Sequence, residues 1–308
     1  MISIVCPFYN EQEVVEEFFG RLIAVLVATG EEFEIICVND GSRDNTLLGL
    51  LAAQRRYPGV RVVDLSRNFG KEAALTAGLD MARGDAVIPI DADLQDPPEL
   101  IPRMIETWRA GFEVVLARRA DRSTDSWFKS FTAAWFYRIH NRVANVHLPE
   151  NVGDFRLLDR CVVDAVRLLP ERQRFMKGVF AWVGFKTAAV EYVREARSRG
   201  APKFSGWWLW NLALEGITSF STVPLRVWTY VGLVVAGASL AYGAFIVVYT
   251  LINGVEMPGF ASLFVAVTFL GGLQLIGLGV LGEYLGRTYT EAKQRPVYIV
   301  RHIHERKS

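Results

Sequence analysis

The chain has 308 residues, 51% of them hydrophobic, and its formal net charge at pH 7 is +1. This near-neutral balance argues against a nucleic-acid-binding protein, which usually carries an excess of Lys and Arg. The three cysteines are widely spaced and form no zinc-binding or disulfide pattern, so we expect free thiols in a reducing cytosol. The hydrophobic excess gathers after Arg226, and the chain before it is expected to fold as a soluble domain.

Strand-like and helix-like segments alternate through the first 120 residues. The predicted strands are 2–6, 34–38, 60–65, 86–90 and 114–117. The predicted helices are 13–27, 46–56, 71–82 and 100–108. Strands that are apolar almost throughout, between amphipathic helices, predict a mainly parallel sheet covered on both faces. The predicted fold class is therefore α/β.

Polar clusters follow four of these strands, and a parallel sheet binds its ligands at that edge. They lie at 9–11, 39–42, 66–68 and 91–93. In an extended chain, positions i, i+2 and i+4 project to one side, so Asp91, Asp93 and Gln95 can present oxygen atoms together. Mg²⁺ prefers such ligands, completed by phosphate oxygens and water. Asp-x-Asp also occurs as a plain acidic turn, but its place at the sheet edge favours a metal site.

Asp40 follows the second predicted strand and has two interpretations. Its carboxylate is suited to accept hydrogen bonds from a nucleotide base or ribose, and equally to cap a helix or form a turn. Residues 68–71 lack the phosphate-loop pattern of ATPases. No G-x-G-x-x-G follows the first strand, which argues against a dinucleotide-dependent dehydrogenase.

The chain after residue 121 carries signs of contact with a membrane. Residues 127–143 look helical, and the tryptophan-rich segment 207–220 follows several basic residues. Tryptophan beside basic residues suits an amphipathic segment at a bilayer surface, and a helix packed on the soluble core is the alternative.

Two uncharged runs, 227–251 and 260–282, each exceed the roughly 20 residues that cross a bilayer as a helix. Their short connection predicts a hairpin of two transmembrane helices, and a buried hairpin of a soluble protein is the alternative. Basic residues flank both outer ends, so the positive-inside rule places both termini in the cytoplasm. The apolar start of the chain is too short for a signal peptide. Glycines in the second run permit self-association without requiring it.

Several motifs together resemble glycosyltransferase family 2, and within it the polyprenyl-phosphate glycosyltransferases such as dolichol-phosphate mannose synthase and the bactoprenol glucosyltransferases. The matching motifs lie at 7–11, 38–42, 65–72, 91–98, 153–156, 203–204 and 282–287. The resemblance covers essentially the whole chain and implies a GT-A nucleotide-diphosphate-sugar fold. The expected parts are a cytoplasmic catalytic domain 1–200, a juxtamembrane segment 201–225, two transmembrane helices within 226–286 and a cytoplasmic tail 287–308.

The resemblance also implies roles for individual residues. Those expected to bind the nucleotide-sugar or the lipid phosphate are Pro7, Tyr9, Glu11, Val38, Asp40, Asp91, Ala92, Arg118, Arg138, Arg197 and Lys203. Asp91, Asp93 and Gln95 would hold Mg²⁺ or Mn²⁺ against the diphosphate, and Asp154 and Asp93 are the implied catalytic carboxylates. The family often has a small hydroxyl residue before the last lysine, where this chain has Pro202.

These features predict an inverting transfer of glucose from UDP-glucose to undecaprenyl phosphate at the cytoplasmic face of the inner (plasma) membrane. No residue selects glucose over mannose, so a GDP-mannose-dependent enzyme is an alternative. A processive polysaccharide synthase would carry Gln-x-x-Arg-Trp, which is not found around Gln173, and a non-enzymatic nucleotide-sugar sensor would produce no glycolipid. Because a phosphate monoester is largely ionised at pH 7, we expect Asp154 to position other groups rather than to take a proton.

Overall fold

The computed structural model describes residues 1–120, 152–192, 221–254 and 259–305. The strands are β1 Ile2–Phe8, β2 Phe33–Asn39, β3 Val60–Leu65, β4 Ala86–Pro89, β5 Val114–Arg119, β6 Val152–Asp159, β7 Thr187–Tyr192 and β8 Val300–His304. The helices are α1 Val15–Thr29, α2 Thr46–Arg56, α3 Lys71–Met81, α4 Ile101–Arg109, α5 Arg160–Leu168, α6 Met176–Trp182, α7 Val223–Asn253 and α8 Phe260–Ala292. Every element predicted before residue 120 occurs, with ends that differ by at most two residues.

All eight strands form one sheet in the order β7-β5-β6-β4-β1-β2-β3-β8. The four adjacent strands β4, β1, β2 and β3 are parallel to one another, and β5 pairs in parallel with β7. Strand β6 is antiparallel to both β4 and β5, and β8 is antiparallel to β3. The carboxyl ends of six strands therefore meet at one edge of the sheet, together with the starts of β6 and β8.

Alternate residues of the central strands enter two separate cores, as the pleat of a strand requires. Ile4 and Cys6 of β1 are buried against the face that α1, α2 and α4 cover. Val5 is buried against the opposite face, beneath α3, α5 and α6. Cys6 and Cys37 are buried free thiols, as expected from their apolar surroundings in the sequence. Helices on both faces hold the sheet edge in place and leave the polar loops at that edge accessible.

The end of the chain returns to the sheet. The sequence assigned 287–308 to a tail, whereas the structure places part of it beside β3 as the edge strand β8. The guanidinium of Arg61 donates to Glu305 at 2.8 Å and pairs with the buried carboxylate of Glu34 at 3.0 Å. These contacts tie the residue that follows β8 to the interior of the sheet domain.

Helices α7 and α8 are long and apolar enough to cross a membrane, and none of their most apolar stretch is buried. A core hairpin of a soluble protein would be mostly buried, so this alternative is disfavoured. The predicted spans 227–251 and 260–282 lie within these two helices. Close to the start of α7, the carbonyl of Ser221 accepts a hydrogen bond from the hydroxyl of Tyr284 in α8 at 2.6 Å. The predicted interfacial segments 127–143 and 207–220 lie outside the described residues.

Candidate active site

The loops that follow β1 and β2 are hydrogen-bonded to each other. Ser42 Oγ accepts from the N–H of Asn10 at 3.1 Å, and Thr46 Oγ1 accepts from the N–H of Glu11 at 2.9 Å. Asn10 has a φ of 53°, a left-handed conformation that Asn tolerates better than most residues. These contacts fix the backbone on either side of Tyr9, which is half-buried like Glu11.

Asp40 is buried, and its carboxylate is engaged within the protein. One oxygen accepts from the N–H of Phe69 at 2.7 Å and the other from the N–H of Gly70 at 2.9 Å. Burial raises the pKa of Asp40, and these two hydrogen bonds offset that only in part. Next to it, Gly41 has a φ of 62°, and a Cβ there would lie 2.4 Å from the backbone carbon of Arg67. Asp40 thus acts as a turn residue that holds the loop after β3, and its contact with a nucleotide stays a prediction.

The loop after β4 alternates between surface and interior. The residues that keep exposed surface are Asp91, Asp93 and Gln95, and the buried ones are Ala92, Leu94 and Asp96. The spacing argument assumed an extended chain, whereas residues 92–94 form a turn and bend in which Leu94 has a φ of 56°, so this alternation arises from the turn. On the buried side, the Tyr192 hydroxyl at the end of β7 donates to the Asp96 carboxylate. The loop is therefore held from below, and within it Asp93 Oδ1 accepts from the N–H of Gln95 at 3.2 Å.

A lysine connects this loop to the start of β6. The ammonium of Lys71 lies 2.8 Å from the Asp91 carboxylate and 2.6 Å from the Asp154 carboxylate. Asp154 reaches this position because β6 is antiparallel and begins at the edge where β4 ends. Sequence reasoning missed the role of Lys71. The available signal was a basic residue that begins α3 at the edge of the sheet that also carries the acidic loop.

The charges of these groups shift one another's pKa. Loss of hydration alone would lower the pKa of Lys71, but the Asp154 and Asp91 carboxylates raise it well above its ordinary value. Burial alone would raise the pKa of Asp154, but Lys71 and then Lys177 hold it well below its usual range. For Asp91 burial prevails, and the pKa is raised despite Lys71. Burial, with Asp154 nearby, raises the pKa of Glu72 to about 8. A carboxylate with a strongly lowered pKa is a weak base, which suits a positioning role for Asp154.

The oxygen atoms at this edge are suited to a cation that arrives with its own ligands. Within the described ranges, no group of three or more His, Cys, Asp and Glu side chains is arranged to hold a metal ion. The buried Oδ1 of Asp154 has no hydrogen-bond partner among the described residues. Mg²⁺ often takes only one or two protein carboxylates and completes its shell with substrate phosphates and water. Binding of such an ion by Asp91, Asp93 and Gln95 stays a prediction, and in the structure the ammonium of Lys71 lies 2.8 Å from the Asp91 carboxylate.

The other predicted binding residues are spread along the same edge or lie beyond the described ranges. Pro7 pairs with Val38 between β1 and β2, and Val38 is fully buried. Arg118 is exposed near the end of β5. The predicted residues outside the described ranges are Arg138, Arg197 and Lys203.

Comparison with known proteins identifies the family. The family description Glycosyl transferase family 2 matches residues 3–167, more than half of the chain. The prophage bactoprenol glucosyl transferase homolog of Escherichia coli is 54% identical over 98% of this chain and 99% of that protein. The bactoprenol glucosyl transferase of Shigella phage SfII is 55% identical over 98% of each chain. An uncharacterized glycosyltransferase of Synechocystis is 54% identical over 97% of this chain and 94% of its own length.

These matches confirm the resemblance that the motifs indicated, and with it the GT-A type of α/β fold. The chain belongs to glycosyltransferase family 2.

Proposed function

We propose that this chain transfers glucose from UDP-glucose to a polyprenyl phosphate at the cytoplasmic face of the inner membrane. The names of near-full-length relatives at 54% and 55% identity support the sugar and the acceptor class. One structural observation carries the proposal. The cluster of Lys71, Asp91 and Asp154 lies at the sheet edge to which the chain returns from the apolar helix α8.

The path from α8 to this edge is short. The uncharged run ends at Gly282, and residues 283–292 extend the helix by about 15 Å. Strand β8 begins soon afterwards at Val300, which pairs with Leu65 at the carboxyl end of β3. The N–H of Ser66 donates to the carbonyl of Ile299 at 2.9 Å. A site held this close to a membrane helix suits an acceptor whose phosphate stays at the bilayer surface.

The chemistry requires two anions to approach each other, since both the lipid phosphate and the donor diphosphate are negatively charged. Asp91, Asp93 and Gln95 would hold Mg²⁺ or Mn²⁺, which when bound offsets the charge that develops on the departing diphosphate. The lipid phosphate is already largely ionised at pH 7, so its attack needs no strong base. Asp154 holds Lys71 in place at the reacting centre. Attack from the face opposite the diphosphate would invert the anomeric configuration.

The test uses the purified full chain with undecaprenyl phosphate, Mn²⁺ and separate radiolabelled UDP-glucose, GDP-mannose and UDP-N-acetylglucosamine. Label is expected in the organic phase with UDP-glucose, and chelation of the metal with EDTA is expected to abolish it. Labelled lipid from GDP-mannose alone would identify GDP-mannose as the donor and refute UDP-glucose. The absence of labelled lipid with every donor would refute the proposed transfer. Protease accessibility of both termini in inside-out vesicles tests the predicted cytoplasmic topology.

A further inference from the structure

A pocket of about 230 Å³ lies away from the cluster around Lys71, where the end of α8 meets the loop between α5 and α6. Its lining includes Arg172 from that loop, Tyr289 and Thr290 from α8, and Lys293, Arg295 and Pro296 from the segment after α8. This volume is below the roughly 300–1,000 Å³ of typical small-molecule pockets, so it is too small for a nucleotide-sugar.

The two walls of the pocket are hydrogen-bonded to each other. Glu291 of α8 accepts from the N–H groups of Arg172 and Gln173 at 2.9 and 3.1 Å. The guanidinium of Arg172 lies 3.7 Å from the other oxygen of Glu291 and donates to the carbonyl of Arg295 at 3.0 Å. These contacts join the α5–α6 loop to the end of α8 and to the segment that follows it.

Its charge is unbalanced. Three cationic side chains line it, and the carboxylate of Glu291 pairs with only one of them, Arg172. Among the residues that the structure describes, neither the ammonium of Lys293 nor the guanidinium of Arg295 has a carboxylate partner. Lys293 instead lies over the ring of Tyr289, 4.0 Å from its centre. Two uncompensated cations around a small pocket favour an anionic group.

We propose that this pocket binds the phosphodiester headgroup of an anionic phospholipid. Tyr289 lies seven residues beyond Gly282, about 10 Å along the helix from the end of the uncharged run. The headgroup layer on each side of a bilayer is roughly 5–8 Å thick, so the pocket adjoins the level of the lipid phosphates. The backbone of Lys293 lies further out, about 16 Å beyond Gly282, but its ammonium reaches back to the ring of Tyr289, just outside the headgroup layer. The pocket has room for one phosphate.

The experiment titrates the full chain in a non-ionic detergent with dihexanoyl phosphatidylglycerol and, separately, dihexanoyl phosphatidylcholine. The wild type is expected to bind the anionic lipid more tightly than the zwitterionic one. The double variant Lys293→Gln/Arg295→Gln is expected to bind phosphatidylglycerol about 30-fold more weakly, and each single variant about 5-fold. Arg55→Gln is the matched control, because it removes an exposed charge in the last turn of α2, on the face of the sheet opposite to α5 and α6.

Equal affinity of the wild type for both lipids would overturn the proposal, as would unchanged affinity in the double variant. Competition by inorganic phosphate at the same concentration would make this a site for free phosphate, and equally tight competition by undecaprenyl phosphate would make it an acceptor site. Either result contradicts the assignment to a phospholipid. No nucleotide-sugar is present, so the outcome does not depend on whether the proposed transferase activity is correct.

Discussion

Replacing Asp154 by Asn tests whether this carboxylate positions its neighbours or takes a proton. Asn keeps the size of the side chain and one oxygen but removes the charge that holds Lys71 at 2.6 Å. A charge-assisted hydrogen bond contributes about 1.5–3 kcal/mol. Asp154 is 14% exposed but Lys71 is 45% exposed, so solvent screening places the loss in the lower half of that range. The expected fall in the transfer rate is therefore about 10- to 50-fold.

The assay measures initial rates of glucolipid formation from pH 6 to pH 9. If Asp154 positions Lys71, the loss is the same at every pH, because the lipid phosphate is already about nine-tenths ionised at pH 7. If Asp154 were the base, the loss would be largest near pH 6, where about half of the acceptor phosphate is still protonated, and absent above pH 8, where almost all of it is ionised. A loss that disappears above pH 8 would refute the positioning role.

A double-mutant cycle with Lys71→Met sharpens this test. Residues that act as a unit give non-additive losses, so the double variant should be no slower than the slower single variant. Glu106→Gln is the control, since it removes one exposed negative charge from α4 and should leave the rate unchanged. Additive losses from Lys71 and Asp154 would show that the ion pair seen in the structure does not operate as a pair during transfer.

Three further predictions concern the cation, the packing at the edge and the response to acid. Asp91→Ala/Asp93→Ala should lower transfer by at least about 100-fold, and full activity in the rate assay would remove the cation from the mechanism. Gly41→Ala should destabilise the protein by about 2–4 kcal/mol, since its φ is 62° and the new Cβ would meet backbone. Gly20→Ala is the control, because Gly20 lies on the exposed side of α1 and no described atom lies within 4 Å of a Cβ added there. This variant should stabilise the protein by about 1 kcal/mol. Equal melting temperatures for the two variants would contradict the packing argument. Burial alone would raise the pKa of Glu34, but its hydrogen-bond donors lower it on balance. The ionised Glu34 carboxylate therefore stabilises the protein at pH values above its pKa in the unfolded chain, about 4.3, and this stabilisation is lost as the pH falls through its lower pKa in the folded protein. Glu34→Gln should accordingly reduce the decrease in denaturation midpoint between pH 5 and pH 3. A slope identical to that of the wild type would show that Glu34 does not drive acid unfolding.

The sheet before residue 120 was predictable because its strands are apolar on both faces and each stops at a polar cluster. The later strands lack that signal. Strand β6 begins with residues of the site and carries Asp154 and Arg156, so its sequence does not read as a buried strand. Strand β8 lies at the edge of the sheet, and most of its residues are exposed, so nothing in its composition requires burial. Its place is set by pairing with β3, which the sequence of either strand alone does not indicate.

The same distinction explains which parts of the candidate site could be foreseen. Spacing in an extended chain suggested that Asp91, Asp93 and Gln95 lie on the exposed side of their loop, and they do keep exposed surface, although the chain there forms a turn. The contact between Lys71 and Asp154 joins residues 83 positions apart and exists only because β6 enters the sheet antiparallel. Spacing indicates which residues of the loop keep exposed surface, but it does not show which positive charge lies against them. If Asp154 positions Lys71 as proposed, its role depends on that charge, and the chemistry of the site depends on the order of the strands as much as on its motifs.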